Sequence, residues 1–148
     1  MTMTSDGSSD SSAPTPVPSE QTRPFWQHAA AGRLAFQQCD HCGAFAHPPT
    51  DFCTHCHHVD RPSFTFTPVS GTGRIVNWTV IHDAVVPGFG PDPWVHALVQ
   101  LDEQADLLYA ATLESSAGRE PSLGARVRAV FRQVTPDVGI PTFVLEPD

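Results

Sequence analysis

Cys39-Asp40-His41-Cys42 and Cys53-Thr54-His55-Cys56 are two C-x-x-C pairs with ten residues between Cys42 and Cys53. A two-residue spacer lets each tight turn present both sulfurs to one ion, and two such pairs together specify one shared four-thiolate site. Gly43 follows the first pair, where a knuckle turn commonly needs a positive φ. Zinc at about 2.3 Å from each sulfur satisfies all four thiolates and leaves no open position for water. The expected metal is therefore structural zinc, held by Cys39, Cys42, Cys53 and Cys56. Iron of the rubredoxin type uses similar sulfur geometry and stays open as the alternative. His41, His47, His55, His57 and His58 crowd the same segment. With four cysteines available, they are expected as solvated or packed side chains rather than ligands.

Other chemistry is harder to assemble from this chain. It contains no H-E-x-x-H, G-x-S-x-G or phosphate-loop pattern. All eight basic residues are arginines, so a Schiff-base lysine is excluded. His82 and Asp83 are adjacent at the end of a strand pattern, which reads as a polar strand end. No catalytic residue is expected in the chain itself. A net charge of −8 weighs against binding a phosphate backbone, which needs dense positive charge. Arg126, Arg128 and Arg132 alternate with apolar residues and share the outer face of one strand; with Arg119 they make up half of the basic residues. Such a stripe is either a solvated face or a place where guanidiniums grip phosphates or an acidic partner.

The elements that must position these groups follow from composition and period. Residues 1–22 are dominated by Ser, Thr, Pro and Asp and cannot bury enough apolar surface to order themselves. Residues 23–33 read as a short helix, with Pro24 at its start, Gly32 as its stop and Phe25 and Trp26 as packing anchors. That helix either caps the core or serves as a docking arm. The cysteine module spans 34–62, and from Phe64 the pattern turns to short alternating strands. Five are expected, over 73–82, 94–101, 107–113, 125–134 and 142–145, within a segment of 63–148. In the first, Val76, Trp78 and Val80 share one face, and Ile75 and Ile81 the other. The fold class is thus mainly β: a short helix, a rubredoxin-like ribbon and a five-stranded barrel of the OB type. The long link Asp83 to Pro93 carries Phe89 and leads to Trp94, two aromatics suited to covering a ligand or partner. No apolar run approaches the roughly 20 residues of a membrane span, and the N-terminus lacks a charged-then-apolar signal pattern. Together with the paired cysteines, this predicts a cytoplasmic protein in a reducing compartment rather than one held by disulfides.

The order of parts is itself informative. Phe25-Trp26, Gly32-x-Leu34, two knuckles with Pro48-Pro49 between them, Ser70 to Val76 and Leu123-Gly124-Ala125-Arg126-Val127 follow one another along the chain. This arrangement resembles the bacterial and archaeal Zn-ribbon/OB-fold proteins associated with acyl-CoA metabolism. The resemblance covers roughly residues 23–148. It implies an accessory partner of thiolase-fold enzymes, including thiolases and the lipid-transfer-type aldolases of steroid side-chain breakdown, with a MaoC-like hydratase as a further partner. It also implies that the chain braces such an enzyme and helps form its acyl-CoA channel. Phe25, Trp26, Phe89, Trp94, Arg126, Arg128 and Arg132 are the expected partner or acyl-CoA contacts. One departure from the family pattern is the link after Leu101, which reads Asp102-Glu103-Gln104 where members often place a glycine. The competing expectation is a single-stranded nucleic-acid module, which would need a basic groove interleaved with aromatics.

Overall fold

Pro24 lies in the first turn of α1 (Arg23–Ala30), where its missing N–H costs nothing. Gly32 ends the helix by adopting a φ of +78°, and the N–H groups of Gly32 and Arg33 return to the carbonyls of Ala29 and His28. The computed structural model describes residues 13–83, 85–88, 93–114 and 120–147. Most of the tail expected over 1–22, together with Phe89 and Arg119, lies outside the described residues.

Three strands follow the helix: β1 (Ala35–Cys39), β2 (Phe45–Ala46) and β3 (Phe64–Pro68). They form an antiparallel sheet in the order β2-β1-β3. The sequence pattern groups Phe64–Pro68 with the barrel, but its backbone pairs with β1 from Ala35 to Cys39. The ribbon's sheet therefore extends past the cysteine module.

Five further strands close a barrel in the order β4-β5-β6-β8-β7. They are β4 (Thr72–Ile81), β5 (Trp94–Leu101), β6 (Leu108–Leu113), β7 (Arg126–Thr135) and β8 (Val138–Leu145). All five expected strands are present, and the mainly β ribbon-plus-barrel class holds. The last is longer than the 142–145 expected, because Gly139 and Pro141 look like strand breakers in sequence. In the fold the bareness of Gly139 is used: a Cβ there would lie 2.4 Å from the carbonyl of Ala29. The end of α1 rests on that backbone. Gly73 is equally constrained, since a Cβ would meet the Gln100 carbonyl at 2.3 Å.

One expectation about faces is overturned. Ile75 pairs with Val99, but the next pair is Asn77 with Leu98, leaving Val76 as the extra residue of a bulge. The inserted residue resets the alternation, so Ile75, Trp78 and Val80 fall on the face of their partners Val99, Ala97 and Val95, with Trp78 still 37% exposed, while Val76 drops out of it. Strict period-two counting placed Ile75 opposite Trp78 and Val80.

The core is continuous across all three parts. Ile75, Val99, Leu101, Val127 and Phe143 fill the barrel, and Phe25, Leu34 and Phe36 extend the same cluster into the helix and ribbon base. Tyr109 is the hub of an aromatic group, with ring centroids 5.6 Å from Phe25, 5.8 Å from Phe36, 5.2 Å from His47 and 6.1 Å from Phe143. Burial pushes the Tyr109 phenol up and holds the His47 imidazole below its usual 6.5.

Candidate metal centre and the clasp that holds it

The two knuckles are built alike. In the first, the Gly43 N–H donates to the Cys39 carbonyl at 2.9 Å; in the second, the His57 N–H donates to the Cys53 carbonyl at 3.1 Å. Both residues following the second cysteine take positive φ, +78° at Gly43 and +55° at His57. The expected glycine role is met in the first knuckle, whereas the second places a histidine in a left-handed conformation that favours glycine.

These turns bring all four sulfurs to one point. The Sγ atoms of Cys39 and Cys56 are 3.8 Å apart and those of Cys42 and Cys53 are 3.6 Å apart. All four lie within 4.8 Å of one another. Four sulfurs at about 2.3 Å from a tetrahedral ion would be about 3.8 Å apart. A disulfide needs about 2.05 Å. Both the donor set and the spacing fit structural zinc. The Cys56 backbone N–H donates to the Cys53 sulfur at 3.5 Å, which with other local hydrogen bonds lowers the Cys53 thiol, while the thiols of Cys42 and Cys56 beside it are pushed up. A thiolate is the form a metal requires.

The histidines have other employment. His41 stacks on His58 with centroids 3.7 Å apart, and His47 joins the aromatic hub. His55 Nε2 lies 2.9 Å from the Asp106 carboxylate. That last contact belongs to a clasp between ribbon and barrel. The Phe45 N–H donates to Gln104 Oε1 at 2.8 Å, and Gln104 Nε2 donates back to the Phe45 carbonyl at 2.9 Å. A side-chain amide thus pairs with the edge of β2 as a further strand would. Glu103 accepts from the Ser70 N–H at 2.7 Å. Asp102 accepts from both terminal nitrogens of Arg126, at 2.7 and 2.6 Å, and from the Thr72 hydroxyl at 2.6 Å. These bonds hold the Asp102 carboxyl well below the usual carboxylate range. The link that departs from the family pattern is therefore the joint between modules. Three consecutive polar residues without a glycine in a strand connection were the available signal; their partners, as far as 59 residues away in sequence, were not.

The expected contact residues are not gathered in one place. Phe25 is only 5% exposed and packs in the core, which is the capping role for the helix. Trp26 lies edge-on to it at 5.0 Å and is half-buried. Trp94 begins β5 and also is half-buried, its ring edge-on to His96. Arg126, Arg128 and Arg132 do fall on the outer face of β7 and are exposed. Arg126 is engaged by Asp102, whereas no ion pair among the described residues holds Arg128 or Arg132. His82 and Asp83 are both exposed where β4 ends.

Two family models match the chain in tandem. Residues 26–62 match the rubredoxin-like zinc ribbon domain of ChsH2, and residues 66–132 its C-terminal OB-fold domain. The chain belongs to the ChsH2 zinc-ribbon/OB-fold family. A DUF35 domain-containing scaffold protein of Methanocaldococcus jannaschii is 26% identical over 100 residues, 68% of either chain. Among solved structures, a chain of the Ltp2-ChsH2(DUF35) aldolase superposes with a TM-score of 0.74 at 27% identity. That match covers 88% of this chain and 98% of the other. A DUF35-family protein of unknown function from Sulfolobus solfataricus shares the fold, with a TM-score of 0.59 at 13% identity over 86% of each chain. Membership in the ChsH2 family carries the ribbon with it, and the four thiolates at tetrahedral spacing fit its structural zinc.

Proposed function

We propose that this chain is a non-catalytic accessory subunit that docks on a thiolase-fold acyl-CoA enzyme, stabilises it and helps form its acyl-CoA channel. The observation that carries the proposal is the likeness to the ChsH2 chain of an aldolase assembly over 98% of that chain's length. The scaffold description of the archaeal relative points the same way. Within the chain, the cysteines converge on one closed site and offer no nucleophile beside a base. A lipid-transfer-type aldolase is the first partner on this reading, a thiolase the second and a MaoC-like hydratase a further one. Steroid side-chain breakdown is the implied setting and the cytoplasm the implied compartment. Trp26, Trp94 and the two unpaired arginines of β7 supply the contacts; Phe25 supports them from the core. Phe89, outside the described residues, belongs to the same proposal through its place in the 83–93 link. The nucleic-acid alternative is weakened by the charge of −8 and by the neutralisation of Arg126.

Co-expression with the lipid-transfer-type aldolase of the same genome tests the proposal. The two chains are expected to co-elute, and the aldolase to lose activity or solubility when prepared alone. An aldolase fully active alone that never co-elutes with this chain would overturn the reading.

A further inference from the structure

β4 is paired along its whole length on one side only. On the other side, β7 pairs with Thr72, Gly73 and Arg74, and Ile75 bonds to Gly124 and Ala125. The bulge at Val76 then carries β4 away, and among the described residues no strand pairs with the outer edge of residues 77–81. Trp78 fixes which groups face outward. Its N–H donates to Asn77 Oδ1 at 2.8 Å, and Ile75, which bonds outward to Gly124 and Ala125, faces Val99 one register step before Asn77 faces Leu98. Alternation along an antiparallel strand therefore turns the backbone groups of Trp78 and Val80 away from β5, and those of Asn77 and Thr79 towards it. The Asn77 side chain occupies one outward donor. The Trp78 carbonyl and both groups of Val80 remain without a strand partner among the described residues.

This edge has few of the usual protections against pairing. Val76-Asn77-Trp78-Thr79-Val80-Ile81 carries no charge and no proline. Val76 and Trp78 are 38% and 37% exposed, and Leu123, one residue before the Gly124 that bonds to Ile75, is 71% exposed. Unsatisfied strand groups beside exposed apolar side chains specify their complement: another extended strand with apolar side chains. Charge then selects between a second copy and a different chain. Each copy carries −8, and the exposed Asp83 follows the edge directly, so self-pairing brings like charges together.

We infer that the outer edge of β4 from Trp78 to Ile81 is a strand-addition site, and that its occupant is an uncharged or basic extended segment of the partner enzyme. The inference rests on the accessory-subunit reading and adds to it the mode of docking. Val80 is the residue to change. Its N–H points outward, so Val80→Pro removes a donor needed by an added strand while leaving the β4–β5 ladder intact. Val80→Thr keeps the N–H and serves as the control.

The test uses the full zinc-loaded chain and the co-expressed aldolase of the same genome. Val80→Pro is expected to weaken association by about tenfold, the worth of roughly one backbone hydrogen bond, while Val80→Thr binds like the wild type. Amide hydrogen exchange at Val80 in the unmodified chain is expected to slow on complex formation, which decides the matter should Val80→Pro fail to fold. If the complex forms, Val80→Pro binds as tightly as the control and exchange at Val80 is unchanged, strand addition is overturned and the accessory reading stands. If the wild-type chain does not associate with the aldolase, both fall. A homodimer dissociated by Val80→Pro would overturn the choice of occupant.

Discussion

Inside the barrel, Val99, Val127 and Phe143 are wholly removed from solvent, and their strands close around them. Across the joint, the ribbon beyond β1 buries little apart from Cys53, and it leaves Phe52 and Val59 more than half exposed. The barrel can draw on apolar burial at about 25 cal/mol per Å². Between Asp40 and Pro62 only Phe45 and His47 pack against that core, so the shape of the knuckles must come from thiolates bound to one ion. The modules nonetheless share a boundary, since Phe36 of β1 lies in the barrel's own cluster. One region is held by packing and the other by ligation, with Phe45 and His47 on the packed side of the line and the two knuckles on the ligated side.

Removing the metal should separate the two most strongly, because structural zinc in small modules supplies on the order of 10 kcal/mol of folding energy. Chelation or Cys53→Ser is expected to abolish metal content and amide protection over residues 40–62, while the amides of Val99 and Val127 stay protected. Equal loss of protection in the barrel would mean that the two are one cooperative unit.

Phe143→Ala attacks the other side of the comparison. Truncating a fully buried phenylalanine costs about 3–5 kcal/mol, read as a lower urea midpoint, with one zinc per chain retained by the folded fraction. A variant that folds normally yet binds no zinc would show that barrel packing shapes the knuckles.

Gln104→Ala probes the joint. Loss of its two bonds to the Phe45 peptide is expected to cost about 1–2 kcal/mol and to speed exchange of the Phe45 amide without lowering zinc content. Unchanged exchange at Phe45 would demote the clasp to a surface contact.

The smallest effect is expected at His57, whose positive φ strains a non-glycine residue. His57→Gly should relieve less than about 1 kcal/mol and tighten zinc binding a few-fold in competition with a chelating dye. Weaker binding would assign the imidazole a role in the knuckle beyond its backbone.

How much was legible beforehand differs between the same two regions. The ribbon's ligands could be read directly, because metal geometry fixes a local spacing and both knuckles lie within 18 residues. The barrel strands were readable from alternation, except where alternation itself was interrupted. Val76 looks like an ordinary inward residue until the register with β5 shows it to be the extra one. Phe25 carried no mark distinguishing a core anchor from a docking anchor; its burial depends on β1 and β6 arriving beside it. Asp102, Glu103 and Gln104 signalled only an unusual turn.

By itself, the sequence determined the thiolate site, the class of fold and the order of its parts, because ligand spacing and side-chain period act over a few residues. Tertiary structure alone decided which polar groups clasp the ribbon to the barrel, that Arg126 is spent on Asp102, and where β4 leaves β7 with an edge that no strand among the described residues pairs. Those outcomes depend on residues tens of positions apart, and the register that joins them is set only when the sheet closes.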